Sequence, residues 1–204
     1  MGIAIWLVPS GQDTLELKNV MRAGMGKSHL TSSYPTFDPH ITVTSFPSSH
    51  NIPLSTIRAA VPESQGPIPI EFESIKIGDC FFRSVYITVK PDAALLAFQE
   101  HIQTALGLEC KAPVSFPHLS LCYIDEEDAR NGERTRFIRK LEDTGKVMKE
   151  IGAVGVRDTG NGHEEGWMWG FEASEIWVVA CDGPIERWSI LVKIPMIKSV
   201  VLEH

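Results

Sequence analysis

A histidine and a hydroxyl residue occur together twice in this sequence, within stretches of the same pattern. One stretch reads Pro-His-Ile-Thr-Val-Thr, and the other, 78 residues further on, reads Pro-His-Leu-Ser-Leu-Cys. Side chains alternate between the two faces of a β-strand. If both stretches are strands, His40 and Thr42 share one face of the first, and His118 and Ser120 share one face of the second. Each strand then presents an imidazole beside a hydroxyl, with aliphatic side chains behind them.

Two imidazoles that face one cavity can divide acid–base catalysis between them. Imidazole titrates near neutral pH, so one histidine can take a proton from water while the other gives a proton to a leaving oxygen. Two hydroxyls can bind the non-bridging oxygens of a phosphoryl group, and an imidazolium offsets the charge that gathers in the transition state. The pattern therefore predicts metal-free hydrolysis of a phosphate ester, with His40 and His118 on opposite sides of the phosphorus. The residues leave open which histidine is the base.

Two other kinds of site would use the same stretches. A metal could bind both histidines with Asp38 as a third ligand, but the fixed ligand spacing of a metal site is absent. Cys122 shares the predicted face of His118 and Ser120, where a thiolate could act as a nucleophile. A small buried residue is the simpler interpretation of this cysteine. We therefore expect neither a metal nor another cofactor.

The elements that would hold these strands follow from hydrophobic patterning. The predicted strands are residues 3–8, 40–46, 68–77, 81–89, 118–124, 176–181 and 188–196, and the predicted helices are residues 12–29, 54–61, 92–106 and one long helix after Asp125. Each motif strand is followed by a helix and then by a pair of strands. This order suggests two similar halves, although no close sequence repeat extends beyond the motifs.

Composition and charge limit the partners of the chain. The 204 residues suit one sizeable domain or two small lobes, and the formal net charge is −7. An acidic chain binds long polyanions poorly, because phosphate contacts need many Lys and Arg side chains. None of the four cysteines stands in a C-x-x-C pair, which favours a reducing compartment, and no run approaches the length of a membrane helix. We therefore expect a cytoplasmic monomer that binds neither long nucleic acid nor a membrane.

The paired motifs resemble those of the two-histidine (2H) phosphoesterase superfamily, whose mark is a pair of stretches with His, an aliphatic residue, Ser or Thr, and a second aliphatic residue. Within that superfamily the chain is similar to the fungal and plant cyclic nucleotide phosphodiesterases. The similarity rests on residues 3–7, 37–43 and 117–123, and by element order it extends over most of residues 2–197.

The resemblance implies both a fold and a reaction. The fold would be α+β and bilobal, with two antiparallel sheets related by a pseudo-twofold axis, helices on the outside and the motifs in a central cleft. The substrates would be small nucleotide-derived cyclic phosphates. The reaction would open ADP-ribose 1″,2″-cyclic phosphate to ADP-ribose 1″-phosphate, and nucleoside 2′,3′-cyclic phosphates to 2′-phosphates, in the metabolism of tRNA-splicing by-products.

The resemblance also implies roles for five residues. His40 and His118 carry over as acid and base, Thr42 and Ser120 as phosphate binders, and Tyr123 as a further phosphate contact. Strict alternation puts Tyr123 on the wrong face of its strand. Its role therefore requires that the strand end or bulge there.

Two alternatives stay open at this level. An RNA-end or 2′–5′ phosphodiesterase or ligase of the same superfamily would need a basic groove, and a non-catalytic nucleotide-binding module would not need a paired acid and base. Trp167 and Trp169 could stack on a nucleobase, although we favour tryptophans that anchor a loop, and we expect Trp6 in the core. We expect one two-lobed domain over residues 1–201, and residues 202–204, Leu-Glu-His, resemble the start of an expression tag.

Overall fold

A computed structural model describes residues 2–28, 30–108, 117–158 and 166–197. Within these ranges the chain order is β1 Ile3–Pro9, α1 Gly11–Gly24, β2 Ile41–Phe46, α2 Leu54–Ala59, β3 Ile68–Ile77, β4 Val85–Val89, α3 Ala93–Ala105, β5 His118–Cys122, α4 Glu126–Arg130, α5 Glu133–Asp143, β6 Val147–Glu150, β7 Ala153–Val156, β8 Gly170–Ala180 and β9 Ser189–Pro195. Single turns of 3-10 helix lie at Ser48–His50, Phe81–Arg83 and Ile185–Arg187. None of the helices in the described ranges has the length and apolarity to cross a membrane.

The strands of the main sheet close into an antiparallel ring. Hydrogen-bonded neighbours follow the order β8-β1-β2-β5-β4-β3, and β3 pairs in turn with β8. Strand β9 adds to β8 outside the ring, and β6 and β7 form a separate two-stranded sheet. Closure of the ring removes the free edges that a flat sheet of the same strands would expose.

The ring divides into two similar halves. In one half β1 and β2 are antiparallel neighbours joined through α1, and in the other β4 and β5 are joined through α3. Strand β8 extends the first half and β3 extends the second. The halves meet at β2 and β5, through Ile41 opposite Leu119, and at β3 and β8. The predicted α+β, bilobal architecture is confirmed, and the structure adds that the two sheets are hydrogen-bonded into one ring.

The core lies on the face of the ring that the helices cover. The aliphatic residues of both motifs, Ile41 and Val43 in β2 and Leu119 and Leu121 in β5, are buried there. They share one hydrophobic cluster with the inner faces of α1 and α3, formed by Leu17, Val20, Met21, Leu95, Phe98 and Ile102. Full burial of each such side chain contributes about 1.5–3 kcal/mol. The motif strands are thus anchored from behind, and their other face is left for polar side chains.

The long helix predicted after Asp125 is two helices, α4 and α5. Gly132 lies between them with φ of 83°, a left-handed conformation that interrupts a helix and that glycine adopts readily. The Asp125 carboxylate caps α4 by accepting a hydrogen bond from the Glu127 backbone N–H, as its position predicts.

The strand predicted over residues 81–89 begins only at Val85, because Phe81–Arg83 form a 3-10 turn. The Ser84 hydroxyl donates to the Phe81 carbonyl at 2.8 Å and fixes this turn. In the sequence, the two adjacent phenylalanines predict the start of a strand, because aromatic residues are common in strands. In the structure the turn directs the side chain of Phe82 toward a cavity on the open face of the ring.

Candidate active site

The two motif strands are neighbours, and their register sets the geometry of the candidate site. The residues that follow the two histidines lie opposite each other. In an antiparallel pair, this register places His40 opposite Ser120 and Thr42 opposite His118. The imidazoles therefore occupy one diagonal of a square and the hydroxyls occupy the other. Diagonal neighbours of such a pair are about 7–8 Å apart, which leaves room for a phosphoryl group between them.

All four of these side chains line one cavity of about 400 Å³. Tyr123, Trp6 and Trp188 contribute aromatic walls, and Arg83 adds a guanidinium. Small-molecule sites are commonly cavities of about 300–1,000 Å³ with apolar walls and a few convergent polar groups. The cavity has the size and lining of a site for a small phosphorylated ligand.

His40 is held as a neutral imidazole with its free nitrogen available. Its Nδ1 lies 2.6 Å from the Asp38 carbonyl oxygen. A carbonyl only accepts hydrogen bonds, so Nδ1 carries the proton and Nε2 keeps its lone pair. Burial is the main cause that lowers the His40 pKa from 6.5 to about 4, and the nearby charge of His118 acts in the same direction. His40 is therefore unprotonated at neutral pH.

Aromatic rings fix the orientation of the His40 imidazole. The Trp6 ring stacks on it with centroids 3.7 Å apart and an interplanar angle of 10°. Phe37 meets it edge-on, with centroids 6.2 Å apart. Trp6 is buried, as the sequence predicts, but it also lines the cavity. Its contribution to the site is to cover the imidazole and exclude water from it.

His118 lies in a less enclosed position than His40. It is partly buried, and the Tyr86 ring meets it edge-on with centroids 5.3 Å apart. On the same strand, the Ser120 hydroxyl donates to the Phe82 carbonyl at 3.2 Å. That long bond can be exchanged for a stronger one to an anionic phosphate oxygen.

Tyr123 reaches the cavity because β5 is irregular at its end. The register of β5 against β4 shifts between Ser120 and Cys122, where the strand ends. Such a bulge turns the following side chain to the other face. The Tyr123 hydroxyl hydrogen-bonds with the Ser120 side chain, and burial raises the pKa of Tyr123. Its ring stacks on Phe37 with centroids 4.1 Å apart. The strand thus bulges and ends here, as the predicted role of Tyr123 requires, and the phenol stays neutral and able to donate a hydrogen bond.

The structure does not favour the two alternative uses of these stretches. The Asp38 carboxylate pairs with Lys18 at 2.6 Å and does not line the cavity. Among the residues that the structure describes, no group of three His, Cys, Asp or Glu side chains is arranged to hold a metal. Cys122 belongs to the hydrophobic core, and burial raises the pKa of its thiol, which disfavours the thiolate.

Sequence reasoning missed Phe82, Arg83 and Trp188 as cavity residues. Phe82 and Trp188 stack with centroids 6.0 Å apart, although they come from loops more than a hundred residues apart in the chain. Phe82 lies within a 3-10 turn and Trp188 directly follows one, and hydrophobic periodicity does not reveal such turns. The sequence contains one local signal for these cavity residues: Arg83 directly follows two aromatic residues at a predicted hairpin turn.

Trp167 and Trp169 do not line this cavity. Both side chains approach Gly155 so closely that a Cβ added there would lie 3.2 Å from an atom of each. The Arg157 guanidinium lies 4.3 Å from the centroid of the Trp167 ring, a cation–π contact. These contacts favour the interpretation that the two tryptophans anchor their loop, of which residues 159–165 lie outside the described residues.

A fold of two similar halves that each bring an imidazole and a hydroxyl to one cavity defines a two-histidine phosphoesterase. The chain belongs to the family of cyclic phosphodiesterase-like proteins, whose sequence model matches residues 1–196. The superfamily and the enzyme class predicted from the motifs are therefore confirmed.

Known relatives agree with this assignment. The chain is 25% identical over 233 residues to a 2′,3′-cyclic-nucleotide 3′-phosphodiesterase of Yarrowia lipolytica, covering 94% of this chain and 98% of that one. It is 26% identical over 210 residues to an enzyme of the same name from Kluyveromyces lactis, covering 94% and 97%. The fold is also that of E. coli LigT crystallised with 3′-AMP, with a TM-score of 0.56, 9% identity and coverage of 97% and 98%.

Proposed function

We propose that this protein hydrolyses nucleoside 2′,3′-cyclic phosphates to nucleoside 2′-phosphates, and ADP-ribose 1″,2″-cyclic phosphate to ADP-ribose 1″-phosphate. The observation that carries the proposal is the convergence of His40, His118, Thr42 and Ser120 on one cavity. The names of the two fungal relatives support the first substrate class. The second class rests on the resemblance of the motifs to the fungal and plant enzymes.

In the proposed mechanism His40 is the base. Its Nε2 lone pair takes a proton from water, because Nδ1 is already bonded to the Asp38 carbonyl. The water oxygen forms a bond to phosphorus in line with the P–O3′ bond, which breaks. His118, in its cationic form, gives its proton to the departing O3′. The phosphate stays on O2′, and the reaction consumes one water.

The two hydroxyls would stabilise the transition state. Thr42 and Ser120 occupy the diagonal that crosses the line between the two imidazoles. From there they can donate hydrogen bonds to the two non-bridging oxygens as negative charge gathers on them. Tyr123 can add a third donor, since its hydroxyl already reaches Ser120. The donors are held by strands whose opposite face is buried, so little reorganisation is needed.

The proposed substrates are small. We propose that residues 1–201 act as one two-lobed monomeric domain on free nucleotides rather than on long nucleic acid, as the net charge of −7 favours. The LigT structure that shares this fold contains a mononucleotide, 3′-AMP. A cavity of about 400 Å³ suits a ligand of that size.

Turnover in EDTA tests the proposal directly. Wild-type protein, His40→Ala and His118→Ala would be incubated with the four nucleoside 2′,3′-cyclic phosphates and ADP-ribose 1″,2″-cyclic phosphate, with phosphorus NMR to identify products. We expect wild-type turnover to a 2′-phosphate, and a loss of about 10²–10⁴-fold in kcat for each variant, as is typical for removal of an acid or base. His101→Ala, on an exposed position of α3, is the matched control and should retain full activity.

Three outcomes would contradict the proposal. Binding of the nucleotides without turnover would establish a non-catalytic binding module. Preference for an oligonucleotide over mononucleotides would favour an RNA-end or 2′–5′ phosphodiesterase. Activity that survives the loss of either histidine would exclude the two-histidine mechanism.

A further inference from the structure

Arg83 is the one permanently charged side chain among the described residues that line the cavity. Among the described lining residues it is the only Arg or Lys, and no Asp or Glu lines the cavity with it. This local positive charge stands against a net charge of −7 for the whole chain. Arg83 also stays ionised, since its contacts with Cys80 and Asp79 raise its pKa. The cavity therefore carries a permanent cation in addition to the two imidazoles.

Arg83 lies nearer the mouth of the cavity than His40 and Ser120 do. The Arg83 side chain is 46% exposed, while His40 is 6% exposed and Ser120 is 5% exposed. If the cyclic phosphate lies between the imidazoles, the more exposed guanidinium can contact a second part of the ligand nearer the opening of the cavity.

The backbone that carries Arg83 is firmly held. The Gly78 N–H donates to the Ser84 carbonyl at 3.1 Å, and Gly78 approaches so closely that an added Cβ would lie 1.8 Å from the Arg83 carbonyl oxygen. The Ser84 hydroxyl is buried and bridges to the backbone of Ile124. Because the backbone is already fixed, ligand binding has to order only the Arg83 side chain.

The existing charge partner of Arg83 is weak. Its Nη2 lies 3.5 Å from an Asp79 carboxylate oxygen, and the Asp79 side chain is 88% exposed. Exposed ion pairs of this kind contribute little, because water and salt screen them. The Cys80 side chain also hydrogen-bonds with the guanidinium, but sulfur is a weak acceptor. A phosphate group, which can accept two parallel hydrogen bonds from a guanidinium, would displace both partners.

We propose that Arg83 is a specificity-determining residue that binds a second phosphate group of the substrate, beyond the cyclic one. The substrates that it favours are cyclic phosphates joined to a diphosphate, of which ADP-ribose 1″,2″-cyclic phosphate is one. Mononucleoside 2′,3′-cyclic phosphates have no group to meet it. This inference rests on the proposed function and assigns the chemistry that distinguishes its two substrate classes.

The test compares two substrates in two variants. Arg83→Gln should lower kcat/KM for ADP-ribose 1″,2″-cyclic phosphate by about 10–100-fold, as is typical for loss of hydrogen bonds to a charged group. For adenosine 2′,3′-cyclic phosphate the loss should be at most about fivefold, from the loss of a distant screened charge. Arg83→Lys should restore part of the difference, because it keeps the charge but not the planar fork. The loss should appear in KM, since the contact is the same before and during the reaction.

Arg58→Gln is the matched control, because Arg58 is exposed on α2 and does not line the cavity. Equal losses for both substrates in Arg83→Gln would place the guanidinium on the cyclic phosphate and overturn the inference. No loss of kcat/KM for either substrate would overturn it as well. A change in kcat alone would point to a role in the reaction step instead.

A calorimetric binding measurement separates this inference from the proposed function. ADP and AMP would be titrated into wild-type protein and Arg83→Gln. We expect wild type to bind ADP more tightly than AMP, and the variant to lose that preference. If no cyclic phosphate is turned over but the preference depends on Arg83, the proposed function fails and the diphosphate site stands. If turnover occurs without any such preference, the diphosphate site fails alone.

Discussion

His40 has a fixed tautomer and is shielded from water. The Asp38 carbonyl fixes the proton on Nδ1, and the stacked Trp6 ring covers the imidazole. Desolvation penalises the cationic form, which is why the His40 pKa falls to about 4. In the proposed mechanism His118, which lies in a more open position, carries the proton that the leaving group needs. The two histidines are thus distinguished by environment, although their motifs are alike in sequence.

The pH dependence of activity tests this assignment. If His40 is the base, kcat/KM should stay high down to about pH 5 and fall as the pH drops through about 4, because the folded-state pKa of His40 is about 4. The measurement is kcat/KM for adenosine 2′,3′-cyclic phosphate between pH 4 and 8, with circular dichroism to confirm folding at each pH. An acid limb well above pH 5 would contradict the assignment of His40 as the base.

The same pKa predicts a loss of stability in acid. The unfolded chain protonates His40 near pH 6.5, whereas the folded protein does so near pH 4. Between these values the unfolded state binds more protons, so the free energy of unfolding falls as the pH is lowered. From pH 7 to pH 4 wild type should lose about 2–3 kcal/mol more than His40→Asn, which does not titrate. Urea denaturation at the two pH values measures this, and equal losses would contradict it.

Helix α1 connects the core to the candidate site. Its Lys18 pairs with Asp38, whose carbonyl holds His40, and its last residue, Gly24, lies against the ring of Phe137 in α5. A Cβ added at Gly24 would lie 2.5 Å from that ring. Phe137 is fully buried, so its ring could move only by repacking the core around it. The absence of a side chain at Gly24 therefore sets how closely the two helices pack.

Substitution of the glycines of α1 tests this packing. Gly24→Ala should lower the free energy of unfolding by about 1–3 kcal/mol, the usual cost of overpacking a buried contact. Gly11→Ala is the control, because a Cβ at the first residue of the same helix meets nothing within 4 Å. It should leave stability unchanged or raise it by up to about 1 kcal/mol. Urea denaturation gives both values, and similar changes in the two variants would show that helix propensity, not packing, governs them.

At the scale of the whole molecule, the candidate site joins the two halves of the ring. Backbone pairing between β2 and β5 is limited to one pair of residues. Side chains strengthen that junction: Gln99 of α3 donates to the Val43 carbonyl of β2 at 2.7 Å, and Phe37 stacks on Tyr123. A phosphate held by hydroxyls from both strands would add a further link across this junction.

Ligand binding should therefore stabilise both halves together. At a concentration of nucleoside 2′-phosphate, the proposed product, about 100 times its Kd, the folded state gains about 2.7 kcal/mol. This gain raises Tm by about 5–11 °C for a chain of this size. Differential scanning calorimetry should show one transition that moves as a unit. Ser120→Ala should reduce the shift. Two transitions, of which the nucleotide moves one, would contradict the view that the site spans both halves.

The sequence by itself determined the local features of this protein. Alternation placed the imidazoles and hydroxyls on one face of β2 and β5 and the aliphatic residues in the core, and capping placed Asp92 and Asp125 at helix starts. Each feature depends on residues within a few positions of one another, so it can be predicted from the sequence alone. The motif pair was specific enough to identify the superfamily.

Tertiary structure decided how these parts meet. The pairing of β2 with β5 arranges the four polar side chains as two diagonals, and a bulge removes Cys122 from the cavity and admits Tyr123. Loops from both halves bring Arg83 and Trp188 to the same cavity. Register, bulges and loop paths depend on contacts between residues far apart in the chain. Local periodicity carries no information about those contacts, so only the folded molecule shows them.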